Sequence, residues 1–203
     1  VHHQTGGKAY DDPAELSQHI FAAAAQTGIG LTHLPVLYTY GGAGKVALGA
    51  GQMRFGNDVD GFHHLHEAAT RGLGTLPPDA RIGIAPHSLR ATAPDDLQRI
   101  VALHGDGPVH IHIAELPEEV EDIEQWLGQR PVAWLLDTMD VDARWCLIHA
   151  THMTPEETRD MARSGAVAGL CPITEANLGD GPFNGPDYVE AGGQFGVGSD
   201  SNV

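Results

Sequence analysis

The stretch VHIHIAELPEE sets three ionisable groups, His110, His112 and Glu115, inside and just past a short apolar run. Such a run excludes titratable side chains unless something pairs with them. On an extended strand alternate side chains share a face, so His110 and His112 point the same way and His112 lies nearer the strand's end. Glu115 falls beyond the strand, in the turn, from which it can reach over the same site. Two readings stay open on these residues alone. They form either a histidine pair bonded to backbone or water in a core, or a strand that delivers His112 to a site as a metal ligand.

Other strand ends carry similar groups. LIHATH supplies His149 and His152, and GVGSDSN supplies Asp200 after a run of small residues that allows close approach. Imidazoles and carboxylates without a thiolate suit zinc or a similar divalent ion that drives hydrolysis. APHSLRA offers His87 and Arg90; the planar fork of an arginine matches a carboxylate at two points, although a surface pairing with a nearby Asp is the plainer alternative. HHLHE, residues 63–67, has the look of a solvated amphipathic turn. The Gly-rich TYGGAGKVALGAGQMRFGND fails as a phosphate loop: Val46 follows Gly44 and Lys45 where Ser or Thr should hold magnesium, and the earlier glycine is missing. It reads as a mobile loop over the active face.

These groups need elements to position them. PAELSQHIFAAAAQTG reads as a helix closed by Gly28, GIGLTHLPVLY as one strand, and ARIGIAPHSLR as a strand ended at Pro86. TAPDDLQRIVALHG reads as a helix with Thr92 as N-cap and Pro94 just inside. Then come the strand PVHIHIAE, the helix LPEEVEDIEQWLGQ and the strand WCLIHATH. The helix TPEETRDMARSG follows, with Thr154 and Glu157 spaced for a capping box. AVAGLCPIT and GGQFGVGSDSN complete six strands. Alternating strands and helices imply a parallel sheet, and polar groups stand at each strand's C-terminal end: His87, Glu115, His149 with His152, Thr174 and Asp200. That regularity is expected of a (β/α)8 barrel's active face, not of an open sheet with one switch point.

The 203 residues are 41% hydrophobic and carry a formal net charge of −16, from 11 basic against 27 acidic side chains. Such a balance argues against nucleic acid and against an anionic membrane surface as partners. Cys146 and Cys171 sit singly in apolar runs, as buried free thiols of a reducing cytoplasm do. The opening VHHQTGG lacks a starting Met and the end follows directly on a strand, so a fragment is expected.

Together HIHIAE, LIHATH, CPITEANLGDG, APHSLRA and GSDSN resemble the formimidoylglutamate deiminases of the amidohydrolase superfamily, from near residue 1 to residue 203. The resemblance implies an α/β fold, a partial (β/α)8 TIM barrel of the metal-dependent type with about six of eight strands. It implies a single domain, 1–203, without the first two strands and the small β domain. The activity implied is zinc-dependent deimination of N-formimidoyl-L-glutamate to N-formyl-L-glutamate and ammonia, in bacterial histidine degradation, with one divalent ion per site. Residue by residue, His112 and Asp200 would be metal ligands, and Asp200 would also be the water's base. Glu115 would protonate the leaving nitrogen, His149 would orient the water, and His87 and Arg90 would hold the glutamyl carboxylates. His110 would be a core histidine one layer deeper. The family's H-x-H pair on the first strand is missing here, so this piece alone is expected to be inactive. The alternatives are a sibling enzyme that deaminates a purine- or pyrimidine-like ring and a non-catalytic metal-binding relic. A small-molecule substrate is expected, and a homodimer stays open.

Overall fold

The computed structural model describes residues 2–104 and 107–200, which fall into two compact units, 1–109 and 110–203. Gly105, after the third helix, and Ser201 and Asn202 of the GSDSN motif lie outside the described residues.

In the first unit, helix α1 (Glu15–Thr27) ends at Gly28, whose φ of 70° suits a residue without a Cβ and whose N–H closes on the Ala24 carbonyl. Phe21 of α1 packs with Leu65 and Ala69 of α2 (Val59–Leu73) in a buried cluster. HHLHE is therefore part of a regular helix and not a turn: Asp58 caps it by accepting from the Gly61 N–H, and Phe62 and Leu65 bury one face. The strand expected over 28–38 is broken into β1 (Thr32–His33) and β2 (Val36–Leu37), paired in parallel with β3 (Arg81–Ile82) and β4 (Ala85–Pro86). Pro35 has no N–H to give the ladder, yet its carbonyl still accepts from Ala85, so the two short pairs continue one another. Helix α3 (Pro94–His104) begins at its proline, which leaves Thr92 one residue ahead of the N-cap position. Its hydroxyl donates instead to the Leu37 carbonyl at 3.2 Å, tying the helix start to β2. The Gly-rich segment between β2 and α2 forms no strand or helix, apart from a bridge between Gly42 and Val46.

The second unit is a four-stranded sheet in the order β5 (Val109–Ile113), β6 (Trp145–His149), β7 (Val167–Leu170) and β8 (Gln194–Val197). The pairs β6–β7 and β7–β8 are parallel, so each connection must cross over through helices. Helices α4 (Pro117–Leu127) and α5 (Pro131–Thr138) link β5 to β6, and the short α5 was not legible in the residue pattern. Helix α6 (Pro155–Ser164) has the full capping box, Thr154 and Glu157 each satisfying the other's backbone N–H, worth about 1 kcal/mol. Arg130 adds an ion pair to Glu157 at 2.9 Å. The strand expected through AVAGLCPIT stops at Leu170. Pro172 then opens helix α7 (Pro172–Leu178), because a proline that cannot continue a ladder is well suited to a helix's first turn. Helix α8 (Gly185–Glu190) follows, and its buried Tyr188 donates to the Ala166 carbonyl at 2.6 Å. The chain is thus α/β with parallel strands, and these strands form no closed barrel among the described residues.

Candidate active site

Strict alternation buries Val109, Ile111 and Ile113 on one face of β5 and leaves His110 and His112 half-buried on the other. Burial and the neighbouring His112 push the His110 pKa down. On β6 the buried set is Trp145, Leu147 and His149, so alternation alone would send His149 away from His112. The backbone intervenes. His149 and Ala150 have φ of 67° and 48°, left-handed values that cost a residue with a Cβ on the order of 1–3 kcal/mol each. The His149 ring lies stacked against His112, with centroids 5.6 Å apart. Ala114 (φ 50°) and Asp200 (φ 53°) are left-handed too, so β5, β6 and β8 each leave regular extension where a candidate residue stands.

Carboxylates flank the His149 ring on both sides. Nε2 lies 3.5 Å from Oε1 of Glu115, and Nδ1 lies 3.2 Å from Oε1 of Glu175, in the first turn of α7. His149 is 1% exposed, and the Glu115 side chain keeps 16%. Glu115 is held at the mouth of β5 by its own N–H, which donates to Glu119 Oε2 at 3.1 Å. Donor atoms of His149, Cys171 and Glu175 all lie within 4.8 Å of one another. Burial, then the charges of Asp200, Glu175, Cys146 and Glu115, push the Cys171 thiol up to about 11. It is therefore protonated at neutral pH.

Asp200 stands exposed just past β8. His152 follows β6 by three residues, its N–H given to the Ala114 carbonyl. Thr174 is buried in the first turn of α7 and not at a strand's end. In the first unit, His87 follows β4, its ring edge-on to Tyr38 at 4.6 Å and its Nδ1 3.1 Å from the Ser88 hydroxyl. Arg90 lies three residues on, half-buried, with a buried Nε that meets no acceptor among the described residues. Glu175 was not singled out from the sequence. The only signal for it is a carboxylate four residues after Cys171, within the CPITEANLGDG motif.

The cluster has the chemistry of a cation site. Glu115 and Glu175 flank the His149 imidazole, Asp200 lies close enough for its charge to act on Cys171, and no Lys or Arg pairs with any of the three among the described residues. Imidazole nitrogen and carboxylate oxygen are the donors zinc takes in catalytic sites, and the donor set that the structure brings together is His149, Cys171 and Glu175.

Residues 58–203 match the model of the amidohydrolase family, and the chain belongs to that family. Within it, the chain is 50% identical over its whole length to the formimidoylglutamate deiminase of Pseudomonas aeruginosa, of which it covers 45%. It superposes on an amidohydrolase from Brucella melitensis with a TM-score of 0.96 and 54% identity, over 98% of this chain and 44% of that one. A zinc-bound adenosine deaminase from Xanthomonas campestris shares the fold alone, with a TM-score of 0.74 at 22% identity over 96% of this chain and 41% of that one. The chain spans about half the length of the relatives it matches.

Proposed function

We propose that the protein carrying this chain is a metal-dependent hydrolase of the cytoplasm. It converts N-formimidoyl-L-glutamate and water to N-formyl-L-glutamate and ammonia, in histidine degradation. The observation that carries this reading is the buried His149 ring between Glu115 and Glu175, stacked on His112. Half identity over the whole chain to a formimidoylglutamate deiminase supports the substrate.

His112 and Asp200 would hold a divalent ion, zinc by the donor chemistry, together with ligands from elsewhere in the protein. Such an ion supplies Lewis acidity and lowers the pKa of a bound water to about 7. Asp200 accepts the proton that the attacking water releases. His149 Nε2 orients that water toward the formimidoyl carbon. Glu115 protonates the terminal nitrogen, so that collapse of the tetrahedral adduct breaks the C–N bond and releases ammonia; general acid help of this kind is worth ~10²–10⁴-fold. His87 and Arg90 bind the glutamyl carboxylates. An arginine Nε without an acceptor suits a carboxylate ligand.

The test is ammonia release by the full-length, metal-loaded protein from formimidoylglutamate, formimidoylglycine and adenosine. Turnover of formimidoylglutamate well above the other two is the expected result. Preference for adenosine would replace this reading with a ring deaminase, and no turnover of any of them would leave a metal-binding relic.

A further inference from the structure

We propose that Glu175 is the positioning residue of His149: it fixes which ring nitrogen carries the proton and so turns Nε2 toward Glu115 and the reacting centre. The inference rests on the functional reading above only for the consequence to turnover. The positioning itself rests on the geometry of the second unit.

Oε1 of Glu175 already accepts the backbone N–H of Cys171 at 2.8 Å, at the N-terminus of α7. The same atom lies 3.2 Å from His149 Nδ1. An ionised carboxylate can only accept, so the ring nitrogen facing it must be the donor. His149 therefore carries a proton on Nδ1, and Nε2 is the nitrogen turned to the site. Both partners are buried, at 1% exposure for the His149 side chain and 8% for that of Glu175, so no water competes for this bond. The left-handed backbone at His149 and Ala150 leaves the ring's aim set by more than strand geometry. A carboxylate anchored to the next strand's end opposes its rotation back toward the Trp145 and Leu147 side. Carboxylates that fix a histidine tautomer from behind recur wherever an imidazole must present one nitrogen.

Two other roles must be separated from this one. Glu175 could merely cap α7 through Cys171, or it could ligate an ion with His149 and Cys171. The experiment uses the full-length protein and its variants Glu175→Gln and Glu175→Ala. Long-range proton–nitrogen correlation NMR, assigned with His149→Asn, reports which ring nitrogen is protonated. Zinc content, thermal melting and ammonia kinetics accompany it. The wild type is expected to carry its proton on Nδ1. Glu175→Ala should lose that signature, with kcat down by about ten- to a hundredfold and KM within about twofold. Glu175→Gln keeps an acceptor oxygen, so it should hold the fold and the metal and restore the Nδ1 proton, with only part of the kcat loss. A cap alone predicts lowered melting with the ring signature and kcat unchanged in both variants, and that result overturns the proposal. Zinc lost from Glu175→Gln in step with activity overturns it in favour of a ligand. If the wild type releases no ammonia from formimidoylglutamate, the functional reading fails, while the ring signature still decides the positioning.

Discussion

Glu115 and Arg90 carry opposite burdens, and single substitutions should separate them. Glu115 follows the left-handed Ala114, off the face that His110 and His112 share, and in the proposed mechanism it serves protons and not coordination. Glu115→Gln in the full-length protein is expected to keep its zinc while kcat falls by ~10²–10⁴-fold. Equal zinc with an undiminished rate would remove Glu115 from the proton path. Arg90 lies three residues past His87, and its Nε is unmet. Arg90→Ala should act on capture: losing a charge-assisted hydrogen bond costs about 1.5–3 kcal/mol, roughly ten- to a hundredfold in KM, with kcat little changed. Undiminished discrimination between formimidoylglutamate and formimidoylglycine in that variant would show that the carboxylates are held elsewhere.

Among the elements, α2 and α3 bring a histidine cluster together. The His66 and His104 rings lie 3.9 Å apart, with His63 at 5.5 Å from His104 and Glu67 pairing with His63 at 3.4 Å. Burial, then the His104, His63 and His33 rings, push His66 down to about 4 against a weaker opposing pull from Glu67. Burial lowers His104 as well. A histidine whose folded pKa lies below 6.5 is protonated first in the unfolded chain, so its contribution is complete above pH 6.5 and is lost as pH falls toward about 4. The melting temperature should therefore drop between pH 7 and pH 4.5, with a shallower slope in His66→Leu. Identical slopes for the two proteins would clear His66. This cluster was visible in the sequence only as HHLHE. The helical spacing of His63 and His66 is local, but the approach of His104 is tertiary and leaves no periodic trace. By contrast β5, β6, the α6 capping box and the Gly28 helix end were legible because each is written within a few consecutive residues. The break at Pro35, the helix opened by Pro172 and the contact of Glu175 with His149 were not. Proline has the same local preferences in a strand end and a helix start, and a contact between β6 and α7 is decided by packing.

At the scale of the whole molecule, the 203-residue chain by itself is expected to bind zinc weakly and to hydrolyse nothing. In the proposed site His112 and Asp200 would supply two ligands, whereas a catalytic zinc usually keeps three protein ligands beside its water. Asp200 stands exposed beyond β8, and that strand is itself open: Phe195 is 54% and Val197 68% exposed along a strand that, among the described residues, pairs with β7 alone. An uncovered apolar edge strand invites pairing between copies, which would compete with any arrangement that holds Asp200 toward His112. His149, Cys171 and Glu175 could capture an ion instead, but the thiol is pushed up to about 11, so binding there must first displace its proton. Such binding would strengthen steeply with pH and yield no ammonia. Calorimetric zinc titration of the isolated chain at pH 6.5 and 8.5, followed by an ammonia assay at saturating metal, separates these outcomes. Tight one-to-one binding that is independent of pH, with sustained ammonia release, would mean that the two proposed ligands are incomplete and that a working site already lies within these residues.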